Sequence, residues 1–308
     1  MINGSENVKF AGMRKDTLYV SDLDGTLLDN SSRVSERSVA MLGELVSQGA
    51  LVTVATARTP ATVDPLLSRL PVSCYTDPAT GLSQPLPAIV MTGAALWNRA
   101  DHRFDRVELI PERDAADILA SFDALGLRPF VYCLSGDSFL NVYHTARMSR
   151  REEAFYLERK HLKLKRFHLD QRPARLDSVV LFFTTGPERD IAAASDSLQG
   201  VTECSVAWYR DVLMPETGLI DIYAPGVSKA RAVTELARTV GASRVVVFGD
   251  NLNDLPMMRV ATTAVAVGNA LPEVKEAADL VIGPNTQDAV PLFIAQREGI
   301  DVSDIPDF

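Results

Sequence analysis

Two aspartates separated by one leucine, in the run Asp22-Leu23-Asp24-Gly25-Thr26, follow directly on a β-prone segment at residues 17–20. In extended backbone, residues two apart project to the same side about 7 Å from each other, so both carboxylates would share one site. Like charges that close are costly unless a cation binds or one group takes a proton, and a catalyst can use either outcome. A solvated turn carrying a helix cap is the structural alternative. A second acidic run, Gly249-Asp250-Asn251-Leu252-Asn253-Asp254, follows the apolar segment 245–248. That places Asp250 at the C-terminal edge of a strand, where open α/β sheets bind ligands. Asp22, Asp24 and Asp250 offer hard oxygen ligands without histidine or thiolate, a donor set for magnesium rather than zinc or copper. Asp254 is a further ligand, direct or through water, while helix capping by Asp250 or Asn253 fits the same residues.

Two more positions bear on anion chemistry. Lys229 follows Ser228 at the head of a helical segment, where the positive end of the helix dipole disfavours a cation; a bound anion would resolve that conflict. Thr56 ends an apolar strand segment at 51–55 and brings a hydroxyl to the same sheet edge, with Arg58 two residues on.

The elements that position these residues alternate. Continuous apolar runs at 51–55, 89–91, 245–248 and 263–267 read as parallel strands buried on both faces. Helical spacing at 34–47, 61–70, 229–240, 254–260 and 272–278 separates them. The expected fold class is α/β, a doubly wound, Rossmann-like parallel sheet. The middle reads as an inserted α+β unit, with strands near 103–109, 128–134, 139–144, 179–184, 201–208 and 219–223 and helices near 114–125, 146–160 and 190–198. Glycine and proline punctuate the pattern at 93–97 and 215–225. The expected organisation is a core of residues 1–95 and 217–308 around an insertion of residues 96–216. The Pro-rich stretch 71–87 reads as an irregular connection.

Composition excludes other classes. The 308 residues carry 40 acidic and 31 basic side chains, a formal charge of -9, which opposes nucleic acid and anionic membrane surfaces. No apolar run approaches the ~20 residues of a spanning helix, and residues 1–16 lack the apolar stretch of a signal peptide. Cys74, Cys133 and Cys204 form no C-x-x-C pair, so no disulfide framework or zinc site is signalled and the reducing cytoplasm is the expected compartment. The sequons at Asn3 and Asn30 carry no weight without a secretory signal. No G-x-G-x-x-G, P-loop or G-x-S-x-G elbow is present, which removes dehydrogenase, P-loop and serine-hydrolase readings.

Together these residues resemble the haloacid dehalogenase superfamily of aspartate-nucleophile phosphatases, specifically its Cof-type branch. Asp22-Leu23-Asp24-Gly25-Thr26 is similar to motif one, Thr56 to motif two, Lys229 to motif three, and Gly249-Asp250 with Asn253-Asp254 to motif four. The resemblance covers residues 17–294, including a middle insertion similar in position and length to that branch's large cap. It implies a magnesium-dependent phosphatase acting on a small phosphorylated metabolite, such as a sugar phosphate, through an aspartyl-phosphate. Asp22 is then the nucleophile and Asp24 the acid that protonates the leaving oxygen. Thr56, Arg58, Lys229 and Asn253 bind phosphate or substrate; Asp22, the Asp24 carbonyl, Asp250 and Asp254 hold the metal. A phosphomutase using the same intermediate, or a non-catalytic binding protein, is the alternative. The expected assembly is a monomer or homodimer, with no nucleic-acid or membrane partner.

The sequence departs from that branch at Ala57 and Ala230, where glycine is usual, and at Thr92-Gly93-Ala94, where Asn-Gly-Ala is usual. These departures touch substrate contacts more than chemistry, because no acidic position is lost. Inside the insertion, residues 147–175 carry ten Lys or Arg against four Asp or Glu, a run that reads as a solvated face or as an attractor of phosphorylated substrates. Tyr132, Tyr143, Trp208 and Tyr209 read as strand core or as pocket lining. The four histidines, His102, His144, His161 and His168, read as surface or cap residues, with His144 beside Tyr143 able to face a substrate.

Overall fold

A computed structural model describes residues 16–136, 138–210, 214 and 216–306. The leader reading of residues 1–16 and the sequon at Asn3 fall outside the described residues, Asp16 apart. Two compact units divide the chain: Met1–Thr56, Leu66–Ala88 and Val233–Phe308 form the first, and Ala57–Pro65 with Ile89–Ala232 the second. The second thus contains the expected insertion 96–216 and extends past it on both sides. No helix among the described residues is long and apolar enough to cross a membrane.

The first unit starts with β1 (Thr17–Ser21), α1 (Glu36–Ser47), β2 (Leu51–Val54) and α2 (Pro60–Leu67), which runs on from the second unit. All five residues of β1 are buried, as a central parallel strand covered on both faces must be. The Ser35 hydroxyl accepts from Ser38 N and caps α1. The stretch expected to be irregular instead forms an antiparallel hairpin, β3 (Cys74–Thr76) with β4 (Ser83–Pro85). Pro85 is the one proline in these two strands and sits at the end of β4, where proline is tolerated.

The second unit opens with the three-stranded sheet of β5 (Ala88–Val90), β6 (Ala95–Asn98) and β7 (Arg103–Val107). There follow α3 (Glu112–Ala124), β8 (Phe130–Ser135), β9 (Phe139–His144), α4 (Arg150–Arg159), β10 (Lys165–Leu169), β11 (Val179–Pro187), α5 (Glu188–Leu198), β12 (Cys204–Arg210) and β13 (Thr217–Pro225). These strands form one mixed sheet in the order β10-β9-β8-β11-β13-β12. Ala115, Ile118 and Phe122 of α3 and Ile191, Ala194 and Leu198 of α5 are buried, whereas α4 buries no residue. A capping box between Ser149 and Glu152 starts α4, two orphan amides being satisfied reciprocally. Residues 89–91, expected as a parallel strand of the core, fall instead in the separate three-stranded sheet, largely as β5, and β6 and β10 carry no strand signal in the sequence, where residues 93–97 read as boundary punctuation.

The chain re-enters the first unit along α6 (Lys229–Thr239) and continues through β14 (Arg244–Gly249), α7 (Leu255–Val260), β15 (Thr263–Ala266), α8 (Pro272–Ala277), β16 (Leu280–Val281) and α9 (Ala289–Glu298). The core sheet is parallel throughout, ordered β16-β15-β14-β1-β2. Strand order reverses between β1 and β14, and such a switch point opens a crevice at the strands' carboxyl ends. Buried Tyr19 of β1 donates to the Glu298 carboxylate of α9, tying the last helix to the central strand.

Candidate active site

Both acidic runs leave the sheet at that switch point. Ser21 lies opposite Phe248 in the parallel register, and Asp22 N donates to Phe248 O at 3.0 Å, carrying the ladder one residue past β1. The backbone then turns: Leu28 N reaches Leu23 O at 2.9 Å, while Asp24 (φ -72, ψ 118) and Gly25 (φ 80, ψ -5) are non-helical. Leu23 is fully buried and anchors the turn, so the flanking aspartates differ: Asp22 is buried and Asp24 exposed. Ser32 Oγ donates to Asp24 Oδ1 at 3.4 Å.

Asp22, Asp250 and Asp254 converge, each placing a carboxylate oxygen within 4.8 Å of those of the other two. The Asp24 carboxylate lies outside that group. Three carboxylates this close repel unless a cation is shared, and an all-oxygen donor set is the chemistry that magnesium takes. Asp254, wholly buried, accepts at Oδ2 from Asp250 N (3.1 Å) and Asn251 N (3.2 Å). Capping and clustering are therefore both properties of this residue. Asp254→Ala is expected to cost about 1–3 kcal/mol, the penalty for leaving buried amide donors unmet, measured as a lower urea midpoint with an unchanged m-value.

Several hydrogen bonds that hold this arrangement are not legible in the sequence, although Thr26 itself lies in the first motif. Thr26 Oγ1 donates to Asp250 Oδ1 at 3.0 Å. Asn269 Nδ2 donates to Gly25 O at 2.7 Å, its Oδ1 accepts from Asn285 N at 2.9 Å, and Asn285 Nδ2 donates to Leu28 O at 2.7 Å. Gly25 is required twice over: its φ of +80 is left-handed, and a Cβ there would sit 2.4 Å from Asp250 Oδ2. The one available signal was position, since Asn269 closely follows β15 at the same sheet edge.

Thr56, buried, follows β2, where Ala55 N donates to Ser21 O at 2.9 Å. Asn253 is exposed in the turn Leu252–Asp254. Arg58 and Lys229 belong to the second unit. There, Met91 N donates to Arg58 O at 3.0 Å. Lys229, 1% exposed, opens α6, and the preceding Ser228 hydroxyl accepts from Arg231 N at 3.1 Å as the cap. A Cβ on Gly93 would lie 2.4 Å from Ser228 O, so the Met91–Gly93 turn can meet this segment only through glycine. Thr92 occupies the left-handed region (φ 58, ψ 19) and shares a side-chain hydrogen bond with Tyr223. A β-branched residue is strained there whereas asparagine is tolerated, which makes this departure from the family pattern a costly one.

The remaining sequence candidates divide. His144 is packed rather than poised: its ring stacks on Phe130 at 3.9 Å, and its nitrogens lie 2.8 and 2.9 Å from the Thr145 and Arg128 carbonyl oxygens. Tyr132 is core, while Trp208 and Tyr209 are exposed. The three cysteines are free thiols, and burial pushes Cys133 up to about 11.

A haloacid dehalogenase-like hydrolase family profile matches residues 19–294. Over 94 residues the chain is 42% identical to pyridoxal phosphate phosphatase YbhA of Escherichia coli (strain K12), a stretch covering 30% of this chain and 32% of that protein. It is 23% identical over 288 residues to 5-amino-6-(5-phospho-D-ribitylamino)uracil phosphatase YitU of Bacillus subtilis (strain 168), covering 92% of this chain and 97% of that one. BT1666 from Bacteroides thetaiotaomicron, a solved phosphatase structure of the superfamily, superposes with a TM-score of 0.70 at 20% identity, covering 92% of this chain and 96% of its own.

Proposed function

The chain belongs to the haloacid dehalogenase-like hydrolases, enzymes that here act on phosphate esters, and we propose that it hydrolyses a small phosphorylated metabolite through Asp22 as nucleophile. The observation that carries this reading is the convergence of Asp22, Asp250 and Asp254 at the switch point of a parallel sheet, with Asp24 two residues beyond.

In this reading an Asp22 carboxylate oxygen attacks phosphorus, the ester P–O bond breaks, and Asp24 delivers a proton to the departing oxygen. Water then attacks the aspartyl-phosphate, with Asp24 accepting its proton, and inorganic phosphate leaves. Magnesium, held by Asp22, the Asp24 carbonyl, Asp250 and Asp254, would offset the repulsion between a carboxylate nucleophile and a phosphate dianion. Thr56, Arg58, Lys229 and Asn253 bind the phosphoryl oxygens in this proposal, and positioning with electrostatics supplies most of the acceleration because the transition state is loose. Residues 96–216 supply substrate selectivity. The names of YbhA and YitU motivate including phosphate monoesters of heterocycle-bearing metabolites among the first compounds tried.

Release of inorganic phosphate from a panel of sugar, heterocycle and glycerate phosphates, with magnesium and with EDTA, tests the proposal. Release that needs magnesium is expected. Phosphoryl return to the substrate without net release points to a mutase, and no turnover of any ester with magnesium overturns the reading.

A further inference from the structure

A cavity of about 430 Å³ is lined by residues of the second unit alone, and its volume is that of a small-molecule site. None of the four motifs contributes to it. Its floor is apolar. Val131 of β8 and Tyr143 of β9 lie opposite each other in the antiparallel register and so project to one face of the mixed sheet. Leu119 of α3, Pro129, Pro173 and Leu176 complete the wall.

The charged lining is balanced, Arg128 and Arg172 standing against Asp123 and Asp170. Asp123, one helical turn beyond Leu119 on α3, accepts from Arg128 Nη1 at 2.9 Å through Oδ1, while its Oδ2 lies 3.9 Å from Arg172 Nη2. Arg128 Nη1 also donates to Leu127 O at 2.8 Å. Nε and Nη2 of Arg128 and the whole Arg172 guanidinium are left without a hydrogen-bond acceptor among the described residues. Asp170, in the left-handed region at φ 55, is held by three bonds. Its N donates to His144 O at 2.8 Å, and its Oδ1 accepts from Ala146 N at 2.7 Å and Thr145 Oγ1 at 3.4 Å. Its Oδ2 has no donor among the described residues. His144 also lines the cavity but offers a ligand nothing, because both ring nitrogens face carbonyl oxygens.

Exposed ion pairs such as Arg128 with Asp123 contribute little to stability, so folding alone does not account for four charges gathered at an apolar hollow. A ligand that answers each group carries a carboxylate for the two guanidiniums, a cationic donor for the unspent Asp170 oxygen and an apolar body for the floor. A phosphate dianion would meet Asp123 and Asp170 at the same place, and like charges oppose it. We propose that this cavity binds a free α-amino acid with a large apolar side chain. Its carboxylate lies against Arg128 and Arg172, its ammonium against Asp170, and its side chain between Leu119, Val131 and Tyr143. This is a second binding function of the chain, independent of phosphate-ester hydrolysis.

Calorimetric titration of the full chain with L-phenylalanine and with L-leucine tests the proposal, and binding with a Kd below about 1 mM is expected. Three compounds each remove one feature of phenylalanine: 3-phenylpropionate the ammonium, 2-phenylethylamine the carboxylate, and glycine the apolar side chain. Each should bind at least about fivefold more weakly, through loss of a charge-assisted contact or of the buried ring. Arg172→Ala and Asp170→Asn locate the site. The Arg172 side chain is 86% exposed, and asparagine at 170 keeps an oxygen for Ala146 N, so both variants should unfold at the wild-type midpoint. Each should weaken phenylalanine binding at least about fivefold. Asp170→Asn should also narrow the gap between phenylalanine and 3-phenylpropionate, because the carboxylate that meets the ammonium is gone. Absence of binding by both amino acids overturns the proposal. So does 3-phenylpropionate binding as tightly as phenylalanine, or Arg172→Ala binding as wild type does. None of these measurements involves phosphate release, so their outcome and that of the phosphatase test are read separately.

Discussion

Asp22→Asn is expected to fold as wild type does and to turn over phosphate esters at least about 10³-fold more slowly. The amide has the size and shape of the carboxylate it replaces, and Asp22 N still donates to Phe248 O, so the end of β1 is unchanged. The side chain loses the anionic oxygen that would attack phosphorus, and a neutral amide oxygen is too weak a nucleophile to substitute. A second consequence separates chemistry from damage. Asp22, Asp250 and Asp254 hold carboxylate oxygens within 4.8 Å of one another, and removing one of three like charges relieves repulsion. In EDTA the variant should therefore melt at or above wild type, while the rise in melting point on adding magnesium should shrink because one ligand charge is gone. Steady-state phosphate release and thermal melts with and without magnesium read both effects. Activity within tenfold of wild type would remove Asp22 from the nucleophile's role.

Legibility of the fold followed burial. β2 and β14 stand out in the sequence because strands covered on both faces are apolar without interruption, as in Val245 to Phe248. β10 does not, since Lys165-Arg166-Phe167-His168-Leu169 places a lysine on an inward position and reads as part of a charged run. The hairpin of β3 and β4 was hidden by its prolines and by strands of only three residues each. The same contrast holds at the site. Asp22 and Asp250 are legible because a carboxylate directly after an apolar strand has few structural reasons to be there. The pairing of Thr26 with Asp250 joins residues 224 positions apart, and Asn269 reaches Gly25 across 244. Contacts of that kind follow from the register of β1 against β14 and β15, which no local pattern encodes. Gly25 was visible as a motif residue, but its reason, an Asp250 oxygen where a Cβ would stand, is a packing fact.

Asp24→Asn should show a loss that depends on the leaving group. Asp24 lies two residues beyond Asp22 with fully buried Leu23 between them, and both flanking aspartates keep extended ψ values, 163 and 118. Its carboxylate is exposed and touched by Ser32 Oγ, so asparagine can take its place without a folding penalty of consequence. If Asp24 protonates the departing oxygen, an alkyl phosphate, whose alkoxide needs that proton, should lose about 10²–10⁴-fold in kcat/KM. p-Nitrophenyl phosphate releases a stable phenolate and should lose far less in the same parameter. The choice of kcat/KM matters, because it covers only steps up to the first irreversible one, transfer of the phosphoryl group to Asp22. Asp24 is also the base for the water that cleaves the aspartyl-phosphate, so kcat on the aryl ester should fall even where kcat/KM does not. That combination predicts a burst of p-nitrophenol followed by slow turnover, with a phosphorylated Asp22 trapped on acid quenching. Equal losses in kcat/KM for alkyl and aryl esters, without a burst, would assign the proton to a different donor and leave Asp24 as a ligand through its carbonyl alone.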